Sequence, residues 1–295
     1  MKTFIAGIRL INYCGYVNTN FPFINIETGE IKKFCVLYGP NGSGKTSLLD
    51  AVRLVGNPFI YKDRDTELMF RKLTLHPDYD PTYTFIREKT VLNKMRLDGV
   101  FRQGDDYKNI TINNSGLKHS DLPEKPRGYV YTLDADNPMN TTKFQVSSKY
   151  TKIFLDIAKT VYGFDCEFTT GVTESLNDVD GKKYDVEIYT DFVIHKRDVK
   201  VHFKRMSAGE KKIATLLAYL CDPIYMENID IICVDNLDLH VYFERHASMV
   251  DKLIEYFPNK QFIVTTHSET MINHVREVMG EDHLFNVSKI KYGED

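Results

Sequence analysis

The sequence predicts an α/β protein with a mixed central sheet, an antiparallel β subdomain and a second lobe that carries a well-capped helix. Three observations support this prediction. A glycine-rich loop at residues 39–44 lies between an apolar strand candidate and an amphipathic helix candidate. Strands alternate with helices from residue 206 onward, which is typical of a parallel sheet covered on both faces. Elsewhere, short β-type runs dominate.

Composition limits the class of protein. The 295 residues with 42% hydrophobic content are enough for a large domain with a real core. A formal net charge of -3 argues against a protein that coats nucleic acid, although it permits a local basic face. The five cysteines form no C-x-x-C pair, so we expect reduced, packed thiols. We expect neither a signal peptide nor a membrane anchor, and therefore a cytoplasmic protein.

The first part of the chain predicts strands that lead into the glycine-rich loop. Residues 4–13 and 21–38 are rich in β-type residues, and Glu27–Glu30 is a turn signal within the second stretch. The last run before the loop, Phe34–Tyr38, reads FCVLY and is typical of a buried strand.

The loop reads GPNGSGKTS from Gly39 to Ser47 and meets the phosphate-loop pattern G-x-x-x-x-G-K-[S/T] at every fixed position. Glycines allow several N–H groups to turn inward and form a concave nest for a polyphosphate. In this pattern the lysine contacts the β- and γ-phosphates, and the next hydroxyl binds Mg²⁺. The candidate nucleotide-binding residues are Asn41, Gly42, Ser43, Gly44, Lys45, Thr46 and Ser47.

The middle of the chain predicts the antiparallel subdomain. A helix at residues 46–55 ends before Asn57-Pro58, and residues 114–142 predict loop with one strand at 129–133. The expected strands of the subdomain are 82–88, 91–101 around a turn at Asp98-Gly99, and 109–113.

The second lobe is expected at about residues 141–220, with the core lobe formed by residues 1–140 and 221–295. A helix at 148–162 has one apolar face and is closed by Gly163. Strands are expected at 166–171, 184–190, 192–195 and 199–203, the last two joined by a charged turn at 196–198.

Residues 206–220, with sequence MSAGEKKIATLLAYL, predict a helix with a strong N-terminus. Ser207 is a natural N-cap, and Glu210 three residues later completes a capping box. The elements expected after this helix are an apolar strand at 229–235 that ends in Asp235, a helix at 240–257, a buried strand at 261–266 followed by His267, a helix at 268–279 and a strand at 284–287.

The phosphate loop, the MSAGE helix start and the two strands that end in Asp235 and in Thr-Thr-His together resemble the ATP-binding-cassette (ABC) type of P-loop NTPase, in the branch of RecF-like, SMC-like and overcoming-lysogenisation-defect proteins. MSAGE resembles the cassette signature L-S-G-G-Q/E. Asp235 lies where the Walker B aspartate belongs, and His267 resembles the switch histidine. Residues 11–16, INYCGY, are similar to the entry motif N-F-R-S/G-[FY] of this branch.

The resemblance implies ATP and Mg²⁺ as cofactors and a homodimer that closes on two ATP molecules. Ser207, Gly209 and Glu210 would then meet the γ-phosphate of ATP held by the opposite subunit, because a helix N-terminus offers N–H donors to an anion. Thr46 and Asp235 would bind the metal, and His267 would sense the γ-phosphate. The branch also uses a glutamine at the metal, for which Gln145 is our candidate against an ordinary surface glutamine.

The sequence departs from this family at Asn236, where a glutamate usually activates the attacking water. An amide cannot accept that proton, though it can hold a water. Either Asp238 acts as the base, or the protein binds ATP and turns over slowly as a switch. We favour some activity, because loss of a general base typically costs about 10²- to 10⁴-fold. The catalytic candidates are Asp235, Asn236, Asp238 and His267, with His240 near the dimer seam.

Two functions remain open for such a bare ATPase head. No long coiled coil is present, and we expect no nuclease domain before the sequence ends at Asp295. The first function, which the sequence favours, is an ATP-driven clamp or repair factor that acts on duplex DNA. The second is a regulatory or scaffold subunit that gates a separate effector, a nuclease or toxin, in genome defence. A basic run of this kind more often forms a solvated face. The candidate DNA contacts are Lys196, Arg197, Lys200, Lys204 and Arg205.

Overall fold

The structure is a computed structural model that describes eight stretches of the chain. The strand expected at 82–88 and the candidate residue His240 lie outside them. The described stretches are residues 2–56, 96–113, 116–119, 130–133, 144–177, 181–223, 229–239 and 241–292.

Fourteen strands and six α-helices occur in these stretches. The N-terminal part holds β1 (Thr3–Tyr13), β2 (Tyr16–Pro22), β3 (Phe34–Tyr38), α1 (Lys45–Gly56), β4 (Arg96–Gln103), β5 (Asp106–Asn113), β6 (Gly116–His119) and β7 (Val130–Leu133). The rest holds β8 (Phe144–Val146), α2 (Ser148–Tyr162), β9 (Asp165–Asn177), β10 (Lys183–Lys196), β11 (Val199–His202), α3 (Ala208–Cys221), β12 (Ile231–Val234), α4 (His246–Tyr256), β13 (Gln261–Thr266), α5 (Glu269–Met279), β14 (Leu284–Asn286) and α6 (Val287–Tyr292).

The parallel sheet has the strand order β14-β3-β13-β12-β7, and every neighbouring pair in it is parallel. The carboxyl ends of β3, β12 and β13 therefore meet at one edge. Side chains alternate between the two faces, so that Phe34 and Val36 enter one apolar core while Cys35 and Leu37 enter another. The first core includes α2 to α5, and the second includes α1 and the antiparallel sheet.

The antiparallel sheet has the order β2-β1-β4-β5-β6. The turn expected at Asp98-Gly99 is wrong, because β4 runs straight through both residues and pairs there with β1 and β5. The structure needs a glycine at position 99 for close packing instead. A Cβ at this position would lie 2.9 Å from Val55 Cγ2, so glycine lets α1 approach the sheet.

The stretch expected to form the second lobe contains β8 to β11, with β10 paired to the other three strands, together with α2 and α3. The strands expected at 184–190 and 192–195 form a single strand, because Asp191 stays in register with Thr169 of β9. Its Oδ1 atom accepts hydrogen bonds from the N–H groups of Phe192 and Phe203, which keeps this carboxylate inside the strand. Helix α2 ends at Gly163, whose φ of 74° is the left-handed C-cap conformation expected there.

The C-terminal part departs from the prediction in two places. The helix expected from residue 240 begins as a 3₁₀ turn at Phe243–Arg245, and α4 follows it. The last expected strand stops at Asn286, and Val287 begins the unpredicted helix α6 instead. Six residues with two lysines leave too short an apolar pattern to indicate a helix.

The described part of the chain has no helix both long and apolar enough to cross a membrane. All five cysteines are free, and burial raises the pKa of the thiols of Cys35, Cys221 and Cys233.

Candidate nucleotide-binding site

The phosphate loop connects β3 to α1 at the edge where the parallel strands end. Gly44 has a φ of 105°, in the region that favours glycine. A Cβ there would lie 2.7 Å from the Tyr16 hydroxyl, which donates a 2.8 Å hydrogen bond to Gly44 O. The entry motif at residues 11–16 therefore braces the loop. Tyr16 is buried, and burial raises the pKa of its hydroxyl far above the usual value.

Lys45 points its ammonium group into the loop. Nζ donates to Gly39 O at 2.9 Å and to Pro40 O at 3.0 Å, and the residue is 7% exposed. Burial lowers the pKa of Lys45, and the carboxylates of Asp235 and Asp238 oppose that effect. A buried cation whose hydrogen-bond acceptors, among the described residues, are backbone oxygens suits a site that receives an anion.

Two further observations show that the loop fits a polyphosphate. The Ser43 hydroxyl is buried and has no hydrogen-bond partner in the described part of the chain. Several loop residues also have positive φ, as a backbone nest requires. Both features leave polar groups that phosphate oxygens would satisfy.

The candidate metal ligands Thr46 and Asp235 are in direct contact, although 189 positions separate them in the sequence. Thr46 Oγ1 donates to Asp235 Oδ2 at 3.0 Å, and Thr265 Oγ1 donates to Oδ1 at 2.5 Å. Asp235 is buried at the end of β12. One hydroxyl and one carboxylate, completed by phosphate oxygens and water, form an oxygen set of the kind that Mg²⁺ prefers.

Asn236 lies directly after Asp235 in a left-handed conformation with a φ of 48°. Its N–H donates to Thr265 Oγ1 at 2.7 Å, and the N–H of Leu237 donates to Thr265 O at 3.0 Å. On the other side, Lys212 Nζ donates to the carbonyl oxygens of Asp235 at 3.0 Å and Asn236 at 3.3 Å. These bonds hold the turn that presents the Asn236 side chain.

Sequence reasoning missed Thr265 and Lys212 as parts of this site. Thr265 is the first threonine of the TTH run. Two adjacent threonines at the end of a buried strand indicate hydroxyl groups that need hydrogen-bond partners, and that signal could have identified Thr265. Lys212 stands among apolar residues of α3 and is 4% exposed, which a helical projection of residues 208–221 would have shown.

Asp238 and His267 lie together beside this turn. The N–H of His267 is 3.3 Å from Asp238 Oδ2 and 3.4 Å from Oδ1. Asp238 is half-buried and His267 is exposed at the end of β13. Their neighbour Ser268 caps α5 and contacts His246 Nδ1 at 2.6 Å, so this end of β13 is firmly placed.

Ser207, Gly209 and Glu210 form the start of α3, and the capping box is complete. Ser207 Oγ accepts from the Glu210 N–H at 3.3 Å, and Glu210 Oε2 accepts from the Ser207 N–H at 2.9 Å. Burial raises the pKa of Glu210, but hydrogen bonds from Lys196 and Ser207 outweigh burial, and the pKa is lowered overall. Ser207 is exposed, and the partner that its hydroxyl contacts is Glu210 rather than the phosphate loop.

Gln145 and Gln261, two of the three glutamines in the sequence, occupy different settings. Gln145 lies in β8, where its backbone pairs with Ile188 of β10, and in the described part of the chain no hydrogen bond joins its side chain to Thr46 or Asp235. Its role at the metal stays a prediction. Gln261 is fully buried and its amide bonds to the backbone of Ile5 and to Lys32 O, so this side chain ties β13 to β1.

Two of the five basic residues considered as DNA contacts are ion-paired. Lys196 Nζ lies 2.5 Å from Glu210 Oε1, and Lys200 Nζ lies 2.8 Å from Glu167 Oε1. The other three, Arg197, Lys204 and Arg205, are exposed.

These features define a P-loop NTPase fold of the ABC type. A solved Smc head domain with an extended coiled coil, bound to the C-terminal domain of ScpA derived from Pyrococcus furiosus, has a similar fold, with a TM-score of 0.57. The similarity covers 92% of each chain at 13% identity, and at this identity it establishes the fold alone. Residues 80–273 match the family described as "AAA domain, putative AbiEii toxin, Type IV TA system", and the chain belongs to this family.

Two curated relatives match shorter parts of the chain. Retron Ec83 probable ATPase of Escherichia coli is 33% identical over 87 residues, which is 26% of this chain and 16% of that protein. Retron Vc95 probable ATPase of Vibrio cholerae serotype O1 biovar El Tor is 27% identical over 109 residues, which is 34% of this chain and 21% of that protein. The chain therefore matches only a minor part of either relative's length.

Proposed function

We propose that this chain binds ATP with Mg²⁺, pairs with a second copy in response, and hydrolyses ATP slowly. The contact between Thr46 Oγ1 and Asp235 Oδ2 carries the proposal, because it brings the two metal-binding side chains together beside Lys45. The two retron relatives are named as probable ATPases, which supports ATP as the nucleotide and hydrolysis as the reaction.

In this proposal the roles of the residues are assigned from their positions. The loop N–H groups and Lys45 hold the β- and γ-phosphates, and Thr46 with Asp235 holds Mg²⁺, which neutralises developing charge on the phosphates. Asn236 orients water without taking its proton. Asp238 lies beside the proposed switch residue His267 and two residues after Asn236. Because Asp235 is assigned to Mg²⁺, the carboxylate of Asp238 accepts the proton.

A second copy completes the site in this proposal. Ser207 is exposed at the N-terminus of a 14-residue helix, where the first N–H groups have no partner among the helix's own carbonyl oxygens. In a dimer with two-fold symmetry, the N-terminus of α3 in one copy would meet the ATP bound to the other copy. Each ATP site would then be formed by both copies.

The test is ATP-dependent pairing, measured by light scattering after size exclusion, with the variant Ser207→Arg. The wild type should be dimeric with MgATP and monomeric with MgADP. Ser207→Arg should stay monomeric but keep its ATP affinity, because its own phosphate loop is untouched. Ser175→Arg, at an exposed serine of β9, is the matched control and should pair normally. A Ser207→Arg protein that still pairs with MgATP contradicts the shared site.

For the output of this switch, we favour a regulatory ATPase that gates a separate effector. The description of the family names a toxin of a toxin–antitoxin system, and the two relatives are named as ATPases of retrons. Ion pairing of Lys196 and Lys200 also weakens the basic face that a DNA clamp needs. DNA binding remains the second candidate, because Arg197, Lys204 and Arg205 are exposed.

A further inference from the structure

Helix α6 lies next to the phosphate loop. It follows β14, which pairs in parallel with β3, and the register places Asn286 beside Tyr38. Both strands therefore end at the same edge, and the loop and α6 leave that edge side by side. The approach is close, because a Cβ on Gly39 would lie 3.5 Å from the backbone nitrogen of Ser288.

Lys291 connects the end of α6 to the entry turn. Its Nζ donates to Cys14 O at 3.3 Å and lies 5.0 Å from the centroid of the Tyr16 ring. Gly15 permits this contact, since a Cβ there would lie 2.9 Å from Lys291 Nζ. Tyr16 in turn bonds to Gly44 of the loop. Lys291 is thus one side chain away from the phosphate loop.

The same ammonium group also contacts the ring of Tyr292, the next residue of α6. Lys291 Nζ lies 5.3 Å from the centroid of the Tyr292 ring, so one cation stands over two aromatic rings. Tyr16 is fully buried, whereas Tyr292 is 60% exposed. A large aromatic surface is therefore open to solvent beside Lys291, which contacts the entry turn that braces the loop.

The arrangement of the strands shows which end of a nucleotide reaches this side. β3 has β13 on one flank and β14 on the other. The residues assigned to Mg²⁺ and the γ-phosphate, which are Asp235, Asp238 and His267, follow β12 and β13. A triphosphate that lies across the loop with its γ end at β13 directs its nucleoside toward β14 and α6.

We propose that Tyr292 is the shelf on which the base of the bound nucleotide stacks, and that Lys291 positions its ring against the entry turn Cys14–Tyr16. The proposal rests on nucleotide binding by the phosphate loop. Stacking on an exposed ring uses the π-face that every base has, and larger purines stack better than pyrimidines. We therefore expect ATP and GTP to bind with similar affinity and UTP to bind more weakly.

The experiment compares a ligand that has a base with one that lacks it. Dissociation constants for MgATP and for magnesium tripolyphosphate are measured by calorimetry on the wild type, Tyr292→Ala and Tyr292→Phe. Tyr292→Ala should weaken MgATP binding about fivefold or more, because removing an aromatic side chain that stacks on a base typically lowers affinity by at least about that factor. It should leave tripolyphosphate binding unchanged, and Tyr292→Phe should match the wild type.

Tyr107→Ala is the control, because Tyr107 is also an exposed tyrosine, 49% exposed, with a cation, Arg102, near its ring. This variant should bind both ligands as the wild type does. If Tyr292→Ala binds MgATP like the wild type, or loses affinity for both ligands equally, the shelf is overturned. If the wild type binds neither ligand, or if Lys45→Ala binds both unchanged, the proposed function itself fails.

Discussion

At the scale of residues, Thr265 organises the end of the parallel sheet. Its hydroxyl donates to Asp235 Oδ1 and accepts from the Asn236 N–H, so one side chain places both the candidate metal ligand and the residue after it. The left-handed backbone of Asn236 suits asparagine, which tolerates this region better than most residues. A glutamate at this position would pay a modest conformational cost that asparagine avoids.

Hydrolysis should respond to the residue at position 236 and to the carboxylate at 238. Asn236→Glu supplies a general base, so we expect kcat to rise by about tenfold or more. Asp238→Ala should lower kcat by about tenfold or more with little change in ATP affinity, if Asp238 takes the proton. Steady-state ATPase assays on purified protein measure both effects. An Asp238→Ala protein with unchanged kcat removes this residue from the mechanism.

At the scale of elements, α3 contacts the nucleotide site of its own chain through Lys212. The first turn of this helix carries Ser207, which we assign to the ATP of the partner. One turn further along, Lys212 Nζ binds the carbonyl oxygens of Asp235 and Asn236. In the proposed dimer, helix α3 would therefore link the two nucleotide sites, so that ATP binding at one site would affect the other.

Removing this link should impair both stability and turnover. Lys212→Met leaves two carbonyl groups without their donor, and we expect a loss of about 1–3 kcal/mol in the free energy of unfolding. We also expect kcat to fall more than ATP affinity, because Asn236 is repositioned while the phosphate loop is unchanged. Denaturant titration and single-turnover hydrolysis measure the two effects.

Lys211→Met is the matched control, because Lys211 is the adjacent lysine and its ammonium group contacts Lys204 O, away from the Asp235 turn. Similar kinetic losses in both lysine variants would show that Lys212 has no special role in positioning Asn236.

At the scale of the whole molecule, each face of the parallel sheet has its own apolar core. One core joins the sheet to the antiparallel subdomain and α1, and the other joins it to the second lobe. Residues Asp156, Lys252 and Tyr256 add a polar link between α2 and α4, with Asp156 Oδ2 2.9 Å from Lys252 Nζ and 2.7 Å from the Tyr256 hydroxyl. The second lobe is thus tied to the helix that follows the Asp235 turn.

Salt dependence should decide between a DNA clamp and an effector-gating ATPase. A clamp that contacts phosphates loses affinity with a slope of log K against log salt of about -0.9 per contact. The variant Arg197→Gln, Lys204→Gln, Arg205→Gln should flatten that slope by up to about 2.7 if these residues bind DNA. For the effector-gating function we expect weak binding of duplex DNA, measured by fluorescence anisotropy, with no difference between wild type and variant. A steep slope that the variant flattens would overturn this choice.

Much of the fold could be predicted from local patterns. The phosphate loop, the capped helix α3 and the buried strands β12 and β13 have strong signals in a few adjacent residues, and the structure has them where expected. The errors concern features that depend on distant partners. The sequence indicated a turn at Gly99 because glycine favours turns. The structure instead requires glycine there because the side chain of Val55 leaves no room for a Cβ. Helix α6 was missed because its six residues gain stability by lying against the loop and the entry turn.

The sequence by itself determined which residues could bind phosphate and metal, because spacing along a loop and at strand ends is local chemistry. Only the tertiary structure decided which side chains meet. It joined Thr46 to Asp235 across most of the chain, placed Lys212 and Thr265 around Asn236, and brought Lys291 to the entry turn that contacts the phosphate loop. Parallel strands end at one edge whatever their order in sequence, and that shared edge is the physical reason for these contacts.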